Sequence, residues 1–162
     1  GLASSGIHSN GYALARKALA SLPKKPRVDL GEPLVDAVLR PTRIYAKSIQ
    51  ALLKRYRQKR IVRAMAHITG GGLEGNVPRV VPNNCDVHVV RKSWPIPPIF
   101  RLIQSAGVAS AEMYRVFNMG IGYVLVVRRT FAESVADFLE KQGETVYRIG
   151  MIRRGSGNLV WR

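Results

Sequence analysis

The segment from Gly122 to Ile152 constrains the fold more than any other part of the chain. Gly122 to Val127 is a continuous apolar, β-branched run suited to a strand buried on both faces. Thr130 and Glu133 have the spacing of a capping box, Val135, Phe138 and Leu139 stripe one side of the helix that would follow, and Gly143 ends it. A strand from Thr145 to Ile152 comes at once. Strand, helix and strand with tight joints predict a right-handed crossover unit, and Gly155-Ser156-Gly157 predicts a hairpin into a final strand from Asn158 to Trp161. The fold class that follows is α+β, a mixed sheet packed with helices and containing a ferredoxin-like βαβ unit.

Earlier segments fit that class. Val62, Ala64, Ala66 and Ile68 alternate with Arg63, Met65 and His67, a period of two that predicts a strand running straight into Gly70-Gly71-Gly72. A second alternating strand is expected from Cys85 to Val90. Helical spacing appears at Tyr12, Ala15, Leu19 and Leu22, closed by Pro23, which opens a basic connector reaching Gly31. It appears again from Leu34 to Leu39, with Pro33 in the first turn and Pro41 beyond the end, and from Tyr45 to Arg57, where Lys and Arg form the outer face. Ile99 to Ala106 is a helix stopped by Gly107, and Ser110 is the expected N-cap of a short helix carrying Met113, Tyr114 and Phe117. The opening residues, Gly1 to Gly11, are too rich in Gly and Ser for an element interior and predict a loop.

Composition bounds the function. The chain has 162 residues and one cysteine, Cys85, so disulfide scaffolds and multi-cysteine zinc sites are excluded and a reducing, cytoplasmic setting is expected. The longest apolar stretch, Ile121 to Val127, is far short of the roughly 20 residues of a membrane helix. With 26 Lys plus Arg against 10 Asp plus Glu the formal net charge is +16, which points to an anionic partner, small or polymeric. Between Asp36 and Glu74 there is no acid, while Arg43, Lys54, Arg55, Arg57, Lys59, Arg60 and Arg63 all fall there. Aromatic residues that would stack bases are interleaved only at Tyr45 and Tyr56, so a solvated helix face is the expectation over a nucleic-acid surface.

Two loops concentrate groups able to hold an anion. Gly70, Gly71 and Gly72 follow a strand and precede a helical turn, where main-chain N–H groups converge on a phosphate without side chains in the way; a tight turn between packed elements is the competing reading. His67 and Thr69 precede that run, His67 being either an acid–base group or a hydrogen-bonded structural residue. The opening loop supplies Ser4, Ser5, His8, Ser9, Asn10 and Gly11 at the start of a helix, where Ser9 or Asn10 also has the chemistry of a cap. No Ser-His-Asp triad is assignable, and no metal site is expected.

Six blocks in order, Gly6-Ile7-His8-Ser9-Asn10-Gly11-Tyr12, Pro41-Thr42-Arg43-Ile44-Tyr45, Ala66-His67-Ile68-Thr69-Gly70-Gly71-Gly72-Leu73, Asn76-Val77-Pro78-Arg79, Trp94-Pro95-Ile96-Pro97-Pro98-Ile99-Phe100 and Met113 to Gly122, closely resemble the phosphoribosylformylglycinamidine cyclo-ligase (aminoimidazole ribonucleotide synthetase) family. The resemblance spans residues 1–162 as one domain, the C-terminal half of a two-domain enzyme, and the chain, which begins on Gly inside the first block, is expected to be a piece of something longer. It implies an enzyme of de novo purine synthesis in which ATP activates the formamide oxygen of formylglycinamidine ribonucleotide, the amidine nitrogen attacks, and ADP and phosphate leave. It further implies that ATP and Mg2+ bind mainly through an N-terminal domain absent here, that the full-length enzyme is a homodimer, and that this half encloses the ribonucleotide substrate without turnover of its own. On this basis His8, Ser9, Asn10, Gly11, Arg43, Thr69, Gly70, Gly71, Gly72, Asn76 and Arg79 are candidate substrate contacts and His67 the candidate catalytic residue. Met119 beside Gly120 is expected to pack against a strand rather than to bind a ligand. A related ATP-dependent enzyme of the same superfamily is an alternative that the second and fifth blocks argue against; a basic RNA-binding module is another, distinguished by steep loss of RNA affinity with salt.

Overall fold

Two three-stranded sheets organise the described residues: β1 (Leu2–Ala3), β4 (Ile121–Val127) and β2 (Val62–His67) lie in that spatial order in the first, and β5 (Gly150–Arg154), β3 (Cys85–Val89) and β6 (Leu159–Trp161) in the second. The structure, a computed structural model, describes residues 1–20, 22 and 29–162; the predicted connector from Pro23 lies, over residues 23–28, outside the described residues. The first sheet is antiparallel throughout, whereas β3 runs antiparallel to β5 and parallel to β6. Helices α1 (Tyr12–Ala20), α2 (Leu34–Leu39), α3 (Ala46–Arg55), α4 (Gly72–Asn76), α5 (Pro98–Ser105), α6 (Ser110–Val116) and α7 (Ala132–Lys141) complete an α+β fold. Among the described residues no helix is long and apolar enough to cross a membrane.

The pattern of β4 explains the layers. Val124 and Val126 pack into a core shared with Val87 and Val89 of β3, while Tyr123, Leu125 and Val127 pack beneath α3 and α7, against Leu52, Val135 and Leu139. The strand is therefore apolar on both faces because both faces are covered. A third core joins α1, α5 and α6 through Ala15, Phe100, Leu102, Ile103, Met113 and Phe117. Each of its large side chains contributes about 1.5–3 kcal/mol by leaving water.

Several expectations are corrected. The predicted strand from Thr145 to Ile152 is divided: Val146 bridges Leu2 in the first sheet, and β5 starts only at Gly150 in the second. β1 lies between Val146 and β4, tied by Ala3 N–H to the Thr145 carbonyl (2.9 Å) and Tyr147 N–H to the Gly1 carbonyl (2.8 Å), and because it is antiparallel to both, α7 returns the chain parallel to β4 with β1 between them. The two residues of β1 are too few to show a period, so the opening carries no strand signal. The hairpin predicted at Gly155 to Gly157 is instead a passage across the end of β3, because β5 and β6 flank that strand. Asp86 of β3 holds the passage by accepting from the Ser156 and Asn158 amides at 2.8 and 2.9 Å, bonds that lower its carboxyl pKa. Thr130 and Glu133 form no capping box: Thr130 sits in a 3-10 turn, Arg129–Phe131, the cap position is Phe131, and Glu133 lies 3.7 Å from Arg148. Ser110 is the first residue of α6 rather than its cap, which is Ala109, and Pro33 stands at the cap of α2 rather than inside its first turn.

Candidate functional site

β2 delivers the triple glycine. After His67 the chain stays in register for one more residue, Ile68 N–H bonding to the Gly122 carbonyl at 2.9 Å, and then turns, Gly72 N–H donating to the Thr69 carbonyl at 3.1 Å. Gly71 and Gly72 have φ of 98° and 58°, where side chains are strained, and a Cβ on Gly72 would stand 2.1 Å from the Tyr114 carbonyl oxygen. Gly72 is therefore a packing glycine with its amide in use. Gly70 and Gly71 differ: their N–H groups have no backbone acceptor among the described residues, and Gly70 is exposed. Asn76, buried, fixes the loop from beneath, its Nδ2 donating to the carbonyls of Thr69, Gly70 and Gly72 and its Oδ1 accepting from the Thr69 hydroxyl.

The opening loop is brought alongside. A Cβ on Gly70 would lie 3.8 Å from Asn10 Oδ1, so the two loops share one edge of the molecule. Asn118, buried, organises the opening loop: its Nδ2 donates to the Gly6 and Ile7 carbonyls, and its Oδ1 accepts from the Gly120 amide and the Ser4 hydroxyl. Neither Ser9 nor Asn10 caps α1. Ser9 Oγ pairs with Thr42 Oγ1 at 2.9 Å, Ser5 Oγ donates to the Pro41 carbonyl at 2.6 Å, and the Gly11 carbonyl accepts the first helical bond, from Ala15. The Pro41 to Tyr45 block thus packs on the opening loop.

At the centre lies a set of rings. His8 is 3% exposed, has φ of 62°, and its Nε2 accepts from the Ser5 amide at 3.1 Å and faces the Arg43 amide at 3.5 Å. That acceptance puts the imidazole proton on Nδ1, which is buried with no partner among the described residues. Burial, then the nearby His67 and Arg43, lower its pKa to about 4, so the ring is neutral at pH 7. Tyr45 stands 6.3 Å from His8 and 6.2 Å from His67, centroid to centroid, and donates to the Ala3 carbonyl at 2.8 Å; burial raises its phenol pKa. His67 is exposed and stacks on Tyr123 at 6.1 Å, and its imidazole makes no side-chain hydrogen bond among the described residues. Gly122 permits this assembly: it is the extra residue where Leu2 and Ala3 pair with Tyr123 and Ile121, and a Cβ there would sit 2.1 Å from Tyr45 Oη and 2.6 Å from His8 Cε1.

The two arginines of the matched blocks occupy different settings. Arg43 Nε pairs with Glu144 at 2.8 Å and its Nη2 donates to the Gly143 carbonyl at 2.6 Å, which leaves Nη1 for a ligand. Glu144 is buried and also accepts from the Ser48 hydroxyl at 2.5 Å. Arg79 stands exposed on the 3-10 turn Pro78–Val80, with no ion pair among the described residues. Met119 is buried, with its carbonyl accepting from Trp94 Nε1 at 2.9 Å. Sequence reasoning missed Glu144 and Ser48, and it did not give Asn118 and Asn76 their scaffolding part. A buried acid or amide can be read from sequence only when its partner is near: Asn118 reaches across 114 residues and Glu144 across 101 and 96, whereas the partners of Asn76 lie only 4 to 7 residues away, inside the glycine loop itself.

Chemically, the edge offers two main-chain donors, an amide side chain, an exposed imidazole and a cationic Nη1, groups whose chemistry suits holding an anion and, at the imidazole, moving a proton. It includes no carboxylate, whereas Mg2+ is ordinarily held by one or two carboxylates together with phosphate oxygens. Among the described residues no three His, Cys, Asp or Glu side chains come together as a metal site, and Glu144, Glu74, Glu32 and Asp86 are already engaged by Arg43, Trp161, Arg40 and backbone amides.

Residue similarity locates the chain among known proteins. It is 47% identical over 163 residues to the phosphoribosylformylglycinamidine cyclo-ligase of Neisseria meningitidis serogroup C, covering 98% of this chain and 46% of that protein. It is 51% identical over 154 residues to the protein of the same name from Bordetella pertussis, covering 94% and 44%. The chain therefore spans less than half the length of these relatives. The family model described as AIR synthase related protein, C-terminal domain, matches residues 1–162, and the chain belongs to that family.

Proposed function

We propose that this chain is the substrate-enclosing C-terminal half of a phosphoribosylformylglycinamidine cyclo-ligase working in the cytoplasm as a homodimer. In that reaction ATP phosphorylates the formamide oxygen of formylglycinamidine ribonucleotide, the amidine nitrogen attacks the activated carbon, and phosphate departs with that oxygen while ADP is released. ATP and Mg2+ belong to the other half, a division supported by a donor set here that includes no carboxylate.

The observation that carries the reading is the meeting of the two loops. The free amides of Gly70 and Gly71 lie beside Asn10, the glycine loop held by Asn76 and the opening loop by Asn118 and the neutral His8. Donors fixed in advance hold a phosphate without reorganisation and favour developing phosphoryl charge. Gly70, Gly71, Asn10 and Arg43 Nη1 grip the ribonucleotide, Ser9 and Gly11 shape the rim, and Arg79 adds charge from the next turn. Thr69, Gly72 and Asn76 support the grip from within. His67, exposed beside it, receives the proton that ring closure releases.

The test combines the chain with the N-terminal half of a relative and assays ATP-dependent ring closure. Activity of the pair and none of the chain alone is expected. Full turnover by the 162 residues alone, or a folded pair that never closes the ring, refutes the reading.

A further inference from the structure

The junction of α3 and β2 holds a hollow that the proposed reaction does not use. It is a half-open groove of about 370 Å3 lined by Leu53, Tyr56, Arg57, Arg60, Val62 and Arg63. That volume lies within the range of small-molecule sites, roughly 300–1,000 Å3. It opens at the start of β2, and the glycine loop lies beyond the strand's other end, about 17 Å along at 3.3 Å per residue.

The three arginines are uncommitted. Arg57, Arg60 and Arg63 are exposed and make no ion pair among the described residues, and no acid occurs in sequence between Asp36 and Glu74. Their neighbours are spent otherwise: the Arg55 guanidinium lies 5.2 Å from the Phe138 ring centre and the Lys59 ammonium 5.4 Å from that of Phe131. The backbone is also shaped at this corner. Arg60 has φ of 42°, an uncommon conformation for a non-glycine residue, and Arg63 is the extra residue of a bulge, since Val62 and Ala64 pair with the successive residues Val127 and Val126.

We propose that this corner is a second anion site, one that takes a small nucleoside phosphate, with the phosphate between Arg57, Arg60 and Arg63 and the planar part against Leu53 and Tyr56. Guanidinium groups suit phosphate because their donors are planar and permanently charged. A nucleic-acid strand is the poorer fit, because the cations surround one hollow rather than follow a track and only one aromatic ring, Tyr56, lines it.

The test is a chemical-shift titration of the chain with adenosine monophosphate, inorganic phosphate and a twelve-residue oligouridylate in parallel. Adenosine monophosphate should move the resonances of residues 53–63 at lower concentration than phosphate does, and R60Q/R63Q should weaken that response at least tenfold, with R57Q as the independent variant. Shifts at Gly70 and Gly71 report on the proposed ribonucleotide grip instead, so either site can fail while the other stands. The proposal is overturned if phosphate and adenosine monophosphate act alike and the variants change nothing. It is equally overturned if the oligonucleotide binds tighter than the mononucleotide with a salt slope of several phosphates, the mark of a nucleic-acid surface.

Discussion

Glu144 is the acid whose removal should damage the molecule most, although nothing in its sequence surroundings marks it. Its side chain is 3% exposed, receives Arg43 Nε at 2.8 Å and accepts the Ser48 hydroxyl at 2.5 Å. A hydrogen bond to a charged group contributes about 1.5–3 kcal/mol, and a buried hydroxyl left without an acceptor costs about 1–3 kcal/mol. Breaking a fully buried ion pair costs about 3–5 kcal/mol, but the Arg43 side chain is 34% exposed and water takes over part of its solvation. About 3 kcal/mol is therefore expected for Glu144→Ala, and ~1–2 kcal/mol for Glu144→Gln, which keeps an acceptor for Ser48. In a domain of this size 1 kcal/mol moves the melting point by about 2–4 °C, so the alanine variant should melt about 6–12 °C lower. Thermal unfolding followed by circular dichroism reads this directly, and a double-mutant cycle with Arg43→Gln should return a coupling of at least about 1 kcal/mol. An alanine variant that melts with the parent chain would refute the argument that this pair fixes the Pro41 to Tyr45 block over His8.

Three further outcomes follow from the same geometry. Gly122→Ala places a methyl group on Tyr45 Oη and His8 Cε1, and should cost about 3 kcal/mol or more in urea unfolding; an unchanged midpoint would mean that the rings yield freely. Gly70→Val has no such clash and no positive φ, so it should leave the melting point nearly unchanged while reducing ribonucleotide affinity at least tenfold by calorimetry; parent-like affinity would remove Gly70 from the grip. His8 has a folded pKa lowered from 6.5 to about 4, so the unfolded chain binds its proton first; stability is complete above pH 6.5 and falls as the pH drops toward 4, a slope that His8→Gln should reduce by one proton in pH-dependent denaturation. Parallel profiles for the two proteins would show that His8 titrates normally.

Local features of the fold were legible and their connections were not. The apolar run of β4 and the stripe of α7 each lie within one element and are present, and β2 forms where its alternation places it, although the bulge at Arg63 breaks the period and puts Val62 in the core of Met65 rather than that of Ala66 and Ile68. Where the sequence misleads, a distant segment competes: β1 enters beside Val146 and draws residues 145–147 away from β5, and Asp86 captures the Ser156 and Asn158 amides and turns an expected hairpin into a crossing. The site shows the same division. Loops rich in glycine and small polar residues announced themselves, but which amides remain free depended on Gly72 being wedged under Tyr114 and on Asn76 reaching back three ways.

Strain sharpens what that loop can do. Positive φ at His8, Gly71, Gly72 and Met119 occurs within the same small region, and each left-handed non-glycine residue costs of order 1–3 kcal/mol unless its surroundings enforce it. Buried amides from two other parts of the chain supply that enforcement, Asn118 for the opening loop and Asn76 for the glycine loop. Rigid support with unpaired donors is an unusual combination, since a loop whose amides lack acceptors is ordinarily free to move, and hydrogen exchange separates the two properties. The amides of Gly72, Ser5 and Gly120, donating to the Thr69 carbonyl, His8 Nε2 and Asn118 Oδ1, should exchange slowly. Those of Gly70 and Gly71 should exchange near the rate of an open peptide and slow only when a phosphate-bearing ligand covers them. Protection of Gly70 and Gly71 equal to that of Gly72 without ligand would mean that the donors are already satisfied, and the loop would then be a turn between packed elements and not a grip.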